Sequence, residues 1–217
     1  MFVLCSVGCD IKTDKSEVMI KDLSTSFQNS KTTLADFVNQ WSQESAELQS
    51  DQLTNLEREI NEIYKVVYSP FEFKRYGWSN WSNWTPYILS SHIIIQQEIP
   101  FVMTDEIDTI NFNYNYKDTL KHFTPNVHFK NVTNLYLTPT YQKVFKNFLG
   151  DPMNENERKI FREKKEFLKR ALSISFGYNW RVILTHPLID GICITNDFKK
   201  ATVEFTLLQS GLRSFLV

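Results

Sequence analysis

The side chains able to do metal, acid–base or nucleophilic chemistry are few in this sequence and lie far apart. The four histidines, His92, His122, His128 and His186, include no pair at the four-residue helical spacing that turns two imidazoles toward one zinc ion. There is no glycine-rich loop to wrap a phosphate and no strand-turn-helix elbow around a serine. The expectation is therefore a chain without metal or cofactor. Cys193 alternates with Ile192 and Ile194, which places it on the opposite strand face, where a buried, inert thiol is expected. Binding chemistry is densest in an aromatic run, Trp78-Ser-Asn-Trp81-Ser-Asn-Trp84 followed by Tyr87. In an extended backbone of three residues per turn the indoles align along one edge. Flat apolar faces beside Asn and Ser suit a small ligand, a glycan or a peptide. Trp180 and Arg181 are secondary candidates for the same role. The competing expectation is that these rings fill the core.

Composition narrows the function classes. The chain has 217 residues, 42% of them hydrophobic, with 24 basic and 25 acidic side chains and a net charge of −1. That length supports one core-forming domain. The balanced charge leaves no basic footprint for nucleic acid. Of the three cysteines, Cys5 and Cys9 stand in the opening segment, so no disulfide framework is expected. Ser6-Val7-Gly8-Cys9 resembles the bacterial lipobox, in which small residues precede a cysteine that is acylated. The resemblance implies that residues 1–9 are a signal-peptide remnant and that Cys9 anchors the protein to a membrane of the bacterial cell envelope. The polar stretch 10–31 is then expected to be a flexible tether, spanning roughly 25 Å at about 5–6 Å times the square root of residue number.

Folded structure is expected over 32–217. Thr33 is a candidate N-cap for a helix carrying Leu34, Phe37, Val38, Trp41 and Leu48. Ser50 and Asp51 begin a second helix, with Leu53, Leu56, Ile60, Ile63, Tyr64 and Val67 on one face, ending at Pro70. The runs Ile93–Ile95 and Ile99–Met103 read as one bent strand or two, broken at Pro100. Ile110 to Tyr116 alternates, and Val127–Leu137 reads as another strand. Thr138-Pro139 opens a helix that buries Val144, Phe145, Phe148 and Leu149 and stops at Gly150. From Asn154 a charged helix points Ile160, Phe161, Phe167, Leu168 and Leu172 inward, with Glu155–Lys159 and Glu166–Arg170 pairs at i,i+4.

The C-terminal part, Ile189–Thr195, a turn at Asn196-Asp197, Ala201–Leu207 and a last strand from Leu212, reads as an antiparallel meander. After helices, this resembles the closing sheet of the nuclear-transport-factor-two-like fold, as in uncharacterised bacterial lipoproteins. The resemblance implies an α+β domain whose curved, cone-like antiparallel sheet is packed with N-terminal and mid-chain helices. Enzymes of that fold use an aspartate and a histidine inside the cone, so His92 with Asp105 or Asp108 are the catalytic candidates it implies. Two functions follow. One is a lipid-anchored, non-enzymatic module for a small ligand, glycan or envelope protein, and the other is a small hydrolase or isomerase.

Overall fold

The computed structural model describes residues 14–31, 34–49, 52–67, 92–107, 120–128, 132–172, 175–176, 183–184, 188–207 and 210–216. Thr33, Ser50, Asp51, Pro70 and the alternating segment 110–116 lie outside these residues; the helix over 35–47 has Leu34, not Thr33, at its N-cap position, with no side-chain capping bond.

The described chain is mixed α+β. Helices α1 (Lys15–Gln28), α2 (Ala35–Glu47) and α3 (Asn55–Val67) precede strands β1 (His92–Gln96), β2 (Ile99–Thr104), β3 (Lys121–Phe123) and β4 (Thr133–Leu137). Helices α4 (Pro139–Leu149) and α5 (Glu155–Leu172) follow. The chain then forms β5 (Ser175–Phe176), β6 (Ile183–Leu184), β7 (Leu188–Thr195), β8 (Ala201–Leu207) and β9 (Ser210–Leu216).

The expected tether is instead a helix with a buried face. Met19 and Leu23 are almost wholly inaccessible, and Ser16 and Ser26 extend the same stripe. At positions i, i+3, i+7 and i+10 these residues share one side of a helix. The serines gave this stretch a linker-like composition, yet their small side chains let α1 lie close against its neighbours. Asp14 caps the helix by accepting from the Ser16 N–H at 3.0 Å, and its carboxylate also meets Lys143 of α4 at 3.2 Å.

Local signals set the other helices. In α3, Thr54 and Glu57 form a reciprocal capping box: the Thr54 N–H donates to Glu57 Oε2 at 2.8 Å and the Glu57 N–H to Thr54 Oγ1 at 3.2 Å. The helix therefore starts at Asn55, later than Ser50-Asp51. For α4 the expected Thr138 cap, leading proline and buried residues are all present. Its terminating Gly150 has φ 74° and ψ 179°, a conformation open essentially to glycine alone. In α5, Ile160 is 47% exposed, contrary to the inward expectation, while Phe161, Phe167, Leu168 and Leu172 are buried. Glu155 reaches Arg158 and Arg162, and Glu166 reaches Lys169, in place of the i,i+4 partners. Lys164 donates to the Phe148 carbonyl at 2.5 Å and lies over the Phe148 ring. It thereby satisfies a carbonyl at the negative end of α4.

Two strands, β1 and β4, pair in parallel, with Ile94 opposite Leu135 and Ile95 opposite Tyr136. This ribbon divides two cores. Ile94, Leu135 and Leu137 join Met19, Leu23, Trp41, Phe145 and Phe167 in a helical core. Ile93, Ile95 and Tyr136 face the other way and pack with Ile60 and Tyr64 of α3 and with Ile99, Phe123, Ile189, Ile192 and Val203. Strand alternation thus serves both layers at once. The outer edge of β4 is closed by α2: Tyr136 N–H donates to Ser45 Oγ at 2.9 Å and its carbonyl accepts from Trp41 Nε1 at 2.7 Å. Trp41 also stacks on Tyr141, centroids 4.3 Å apart.

The main sheet has the order β3-β2-β7-β8-β9. The meander β7-β8-β9 is antiparallel as expected. The sheet as a whole is mixed, because β2 enters parallel to β7. The break expected at Pro100 falls earlier, at Gln97 and Glu98; Pro100 lies inside β2, opposite His122. The 127–137 strand contracts to β4, with Val127 buried outside any strand. Val102 and Cys193 form a small cluster on the sheet face opposite Ile192 and Ile194, as the alternation predicted. No helix of the described residues is long and apolar enough to cross a membrane.

Candidate functional site

Where the chain leaves β2 going backward, a side chain takes over from the backbone. The β2–β7 register places Phe101 opposite Ile192, which would set Glu98 opposite Ile189 if the ladder continued. Instead the chain turns at Gln97 and Glu98. The Gln96 carboxamide fills the gap, donating from Nε2 to the Ile189 carbonyl at 2.9 Å and accepting the Ile189 N–H at Oε1 at 2.7 Å. An amide is the one side-chain group that copies both halves of a peptide unit. The register of β7 shifts between Ile189 and Gly191, leaving Asp190 as the extra residue of a bulge. The elbow between β1 and β2 is thereby pinned to the start of β7.

Beside this elbow lies a groove of about 730 Å³. One wall is the elbow itself with Pro100 and with His122 of β3, and the other is α4. Leu137, Phe145, Leu149 and Leu188 contribute apolar surface, while Gln97, Glu98, Lys143, Lys146 and Asn147 contribute polar groups. The caps of α4 explain why its charged face stands here. Thr138 and Gly150 fix the helix ends, the buried stripe Tyr141, Val144, Phe145, Phe148 and Leu149 fixes its rotation, and Lys143 and Lys146 are left exposed.

Much of the polar lining is unused. The side chains of Glu98, His122, Lys146 and Asn147 have no partner among the described residues. The Gln97 side-chain oxygen, Oε1, is buried without a hydrogen bond. Gln142 Nε2 donates to the Leu137 carbonyl at 3.3 Å, and Lys143 is held by Asp14. Ser16 and then Lys143 hold the Asp14 carboxyl below its ordinary range. Behind the groove, burial and then the Glu44 charge push the Tyr141 phenol well above its ordinary value, so it stays protonated and structural. Among the described residues, no two titratable groups of the lining are hydrogen-bonded to each other.

Of the catalytic candidates implied by the resemblance, His92 and Asp105 lie among the described residues and are held by different partners. His92 Nε2 lies 2.8 Å from the Leu172 carbonyl at the end of α5, whereas Asp105 accepts from Asn196 Nδ2 at 2.7 Å beside the β7–β8 turn. His92 opens β1 and Asp105 follows β2, strands that belong to different sheets. Asp108, Cys9, Trp78, Trp81, Trp84, Tyr87, Trp180 and Arg181 lie outside the described residues, as does His186. Among the described residues no group of three or more His, Cys, Asp or Glu is placed to hold a metal ion. Scans against protein-family models, curated proteins and solved structures each find no match to this chain. The groove residues escaped sequence reasoning because no motif joins them. Glu98, His122 and Lys146 come from three separate segments, and only the long-range pairing of β2 with β3 and the docking of α4 unite them.

Proposed function

We propose that the chain is a non-enzymatic binding module whose ligand occupies the groove between the β1–β2 elbow and α4. The observation that carries this reading is the unused polar lining set over apolar surface. Pockets of roughly 300–1,000 Å³ with apolar walls and a few convergent polar groups are the usual form of a small-molecule site. The groove displaces the Trp78–Tyr87 run as the leading site in this proposal. A ligand-observed NMR screen of small polar fragments tests it, comparing the native chain with Asn147→Trp, an exposed position whose indole would fill the groove. Hits should disappear in the variant. Equal hits in both proteins, or none in either, would contradict the reading.

The same proposal places the protein in the bacterial envelope, anchored through Cys9 by its resemblance to a lipobox, and reads the bulged five-stranded sheet as the curved sheet of a nuclear-transport-factor-two-like cone. With α1 folded, the leash is short. Five steps separate Cys9 from Asp14, a reach of at most about 18 Å at 3.3–3.6 Å per residue. The domain would then sit close to the headgroups, with Asp14 and Lys143 on the near side. Mass spectrometry of the N-terminal peptide after expression behind a full signal peptide should find acylated Cys9. A product retaining Met1 would refute the anchor.

A further inference from the structure

We infer that the groove recognises a ligand bearing both an ammonium and a carboxylate around an apolar body, the chemistry of a free α-amino acid or a short unblocked peptide. This rests on the groove being the binding site proposed above. Its walls carry opposite charges. Glu98 stands at the β1–β2 elbow and Lys146 on α4, both exposed and both lining the groove. Neither side chain has a partner among the described residues, so the two charges face one volume without neutralising each other. Lys143, one turn earlier on α4, differs in being held by Asp14 at 3.2 Å.

A ligand of one sign satisfies one wall and repels or ignores the other. A ligand with both signs is attracted by each, and selectivity then comes from charge complementarity as well as from fit. The Asn147 side chain, exposed on α4, adds an amide to the same lining. Leu137, Phe145 and Leu149 offer an apolar surface for the ligand's side chains. A neutral sugar can hydrogen-bond these groups but neutralises neither charge. The volume of about 730 Å³ lies well inside the range of sites for multi-group ligands, which favours a short peptide over one amino acid.

Isothermal titration calorimetry on the full chain tests this with leucine, trileucine, N-acetyl-trileucine and trileucine amide. Trileucine should bind, with at least a tenfold loss when either end is blocked. The acetylation penalty should vanish in Glu98→Gln and the amidation penalty in Lys146→Gln. These exposed positions leave the fold intact, which circular dichroism verifies. Leucine binding as tightly as trileucine identifies a free amino acid as the ligand, and much weaker binding identifies a peptide. Equal affinity for blocked and free forms, or tighter binding of maltose, would overturn the inference while leaving the groove as a site. Absence of binding by every peptide at millimolar concentration also overturns it. Failure of the fragment screen, by contrast, removes the underlying reading.

Discussion

At the scale of single residues, side chains repeatedly stand in for backbone. Gln96 completes the β2–β7 ladder at Ile189, while Ser45 and Trp41 close the outer edge of β4 at Tyr136. These substitutions keep buried N–H and C=O groups paired where a strand ends. Ser45→Ala leaves the Tyr136 N–H buried and unpaired, so urea denaturation should show a loss of about 1–3 kcal/mol; a change within experimental error would mean that water replaces the hydroxyl. Asp197 supplies a pH-dependent case. Its carboxylate accepts from the Thr195 hydroxyl at 2.7 Å and the Lys199 N–H at 3.1 Å. These contacts, the hydroxyl first, bring its pKa from 3.8 to about 2. The folded value lies below the unfolded one, so this stabilisation is fully present above the unfolded pKa and fades as pH falls toward 2. Stability measured at pH 6 and pH 2.5 should fall less in Asp197→Asn than in the native chain, and identical losses would contradict the assignment.

Elements differ in how far local sequence decides them. For α4, a threonine cap, a proline in the first turn, an apolar stripe and a terminal glycine all act within one segment, so the helix and its buried face are legible from sequence. The C-terminal meander is legible for a similar reason, since its alternation and turn residues are contiguous. Helix α1 is not. Its stripe mixes Met19 and Leu23 with Ser16 and Ser26, and only the approach of another helix makes a serine a good interface residue. Leu23 is wholly buried, so Leu23→Ala should cost about 2–5 kcal/mol in chemical denaturation. A loss below about 0.5 kcal/mol would return residues 15–28 to the role of a tether. Ser50, Asp51 and Thr54 all offer capping side chains ahead of α3, and the reciprocal bond from Glu57 decides for Thr54.

Across the molecule, the parallel β1–β4 ribbon joins a helical core on one side to a sheet core on the other. The groove opens where that ribbon gives way to the main sheet and α4 docks beside the elbow. Composition and periodicity indicated an α+β chain but could not anticipate this meeting point, because it depends on pairings between segments far apart in sequence. The account's central claim is that ligand binds there. Amide chemical-shift mapping, with the strongest fragment or peptide titrated into the isotope-labelled chain, tests it directly. The account predicts shifts concentrated at Gln96–Glu98, His122, Lys143–Asn147 and Leu188, with Asn147→Trp abolishing them. Shifts centred on the Trp78–Tyr87 run, with those groove amides unmoved, would contradict it.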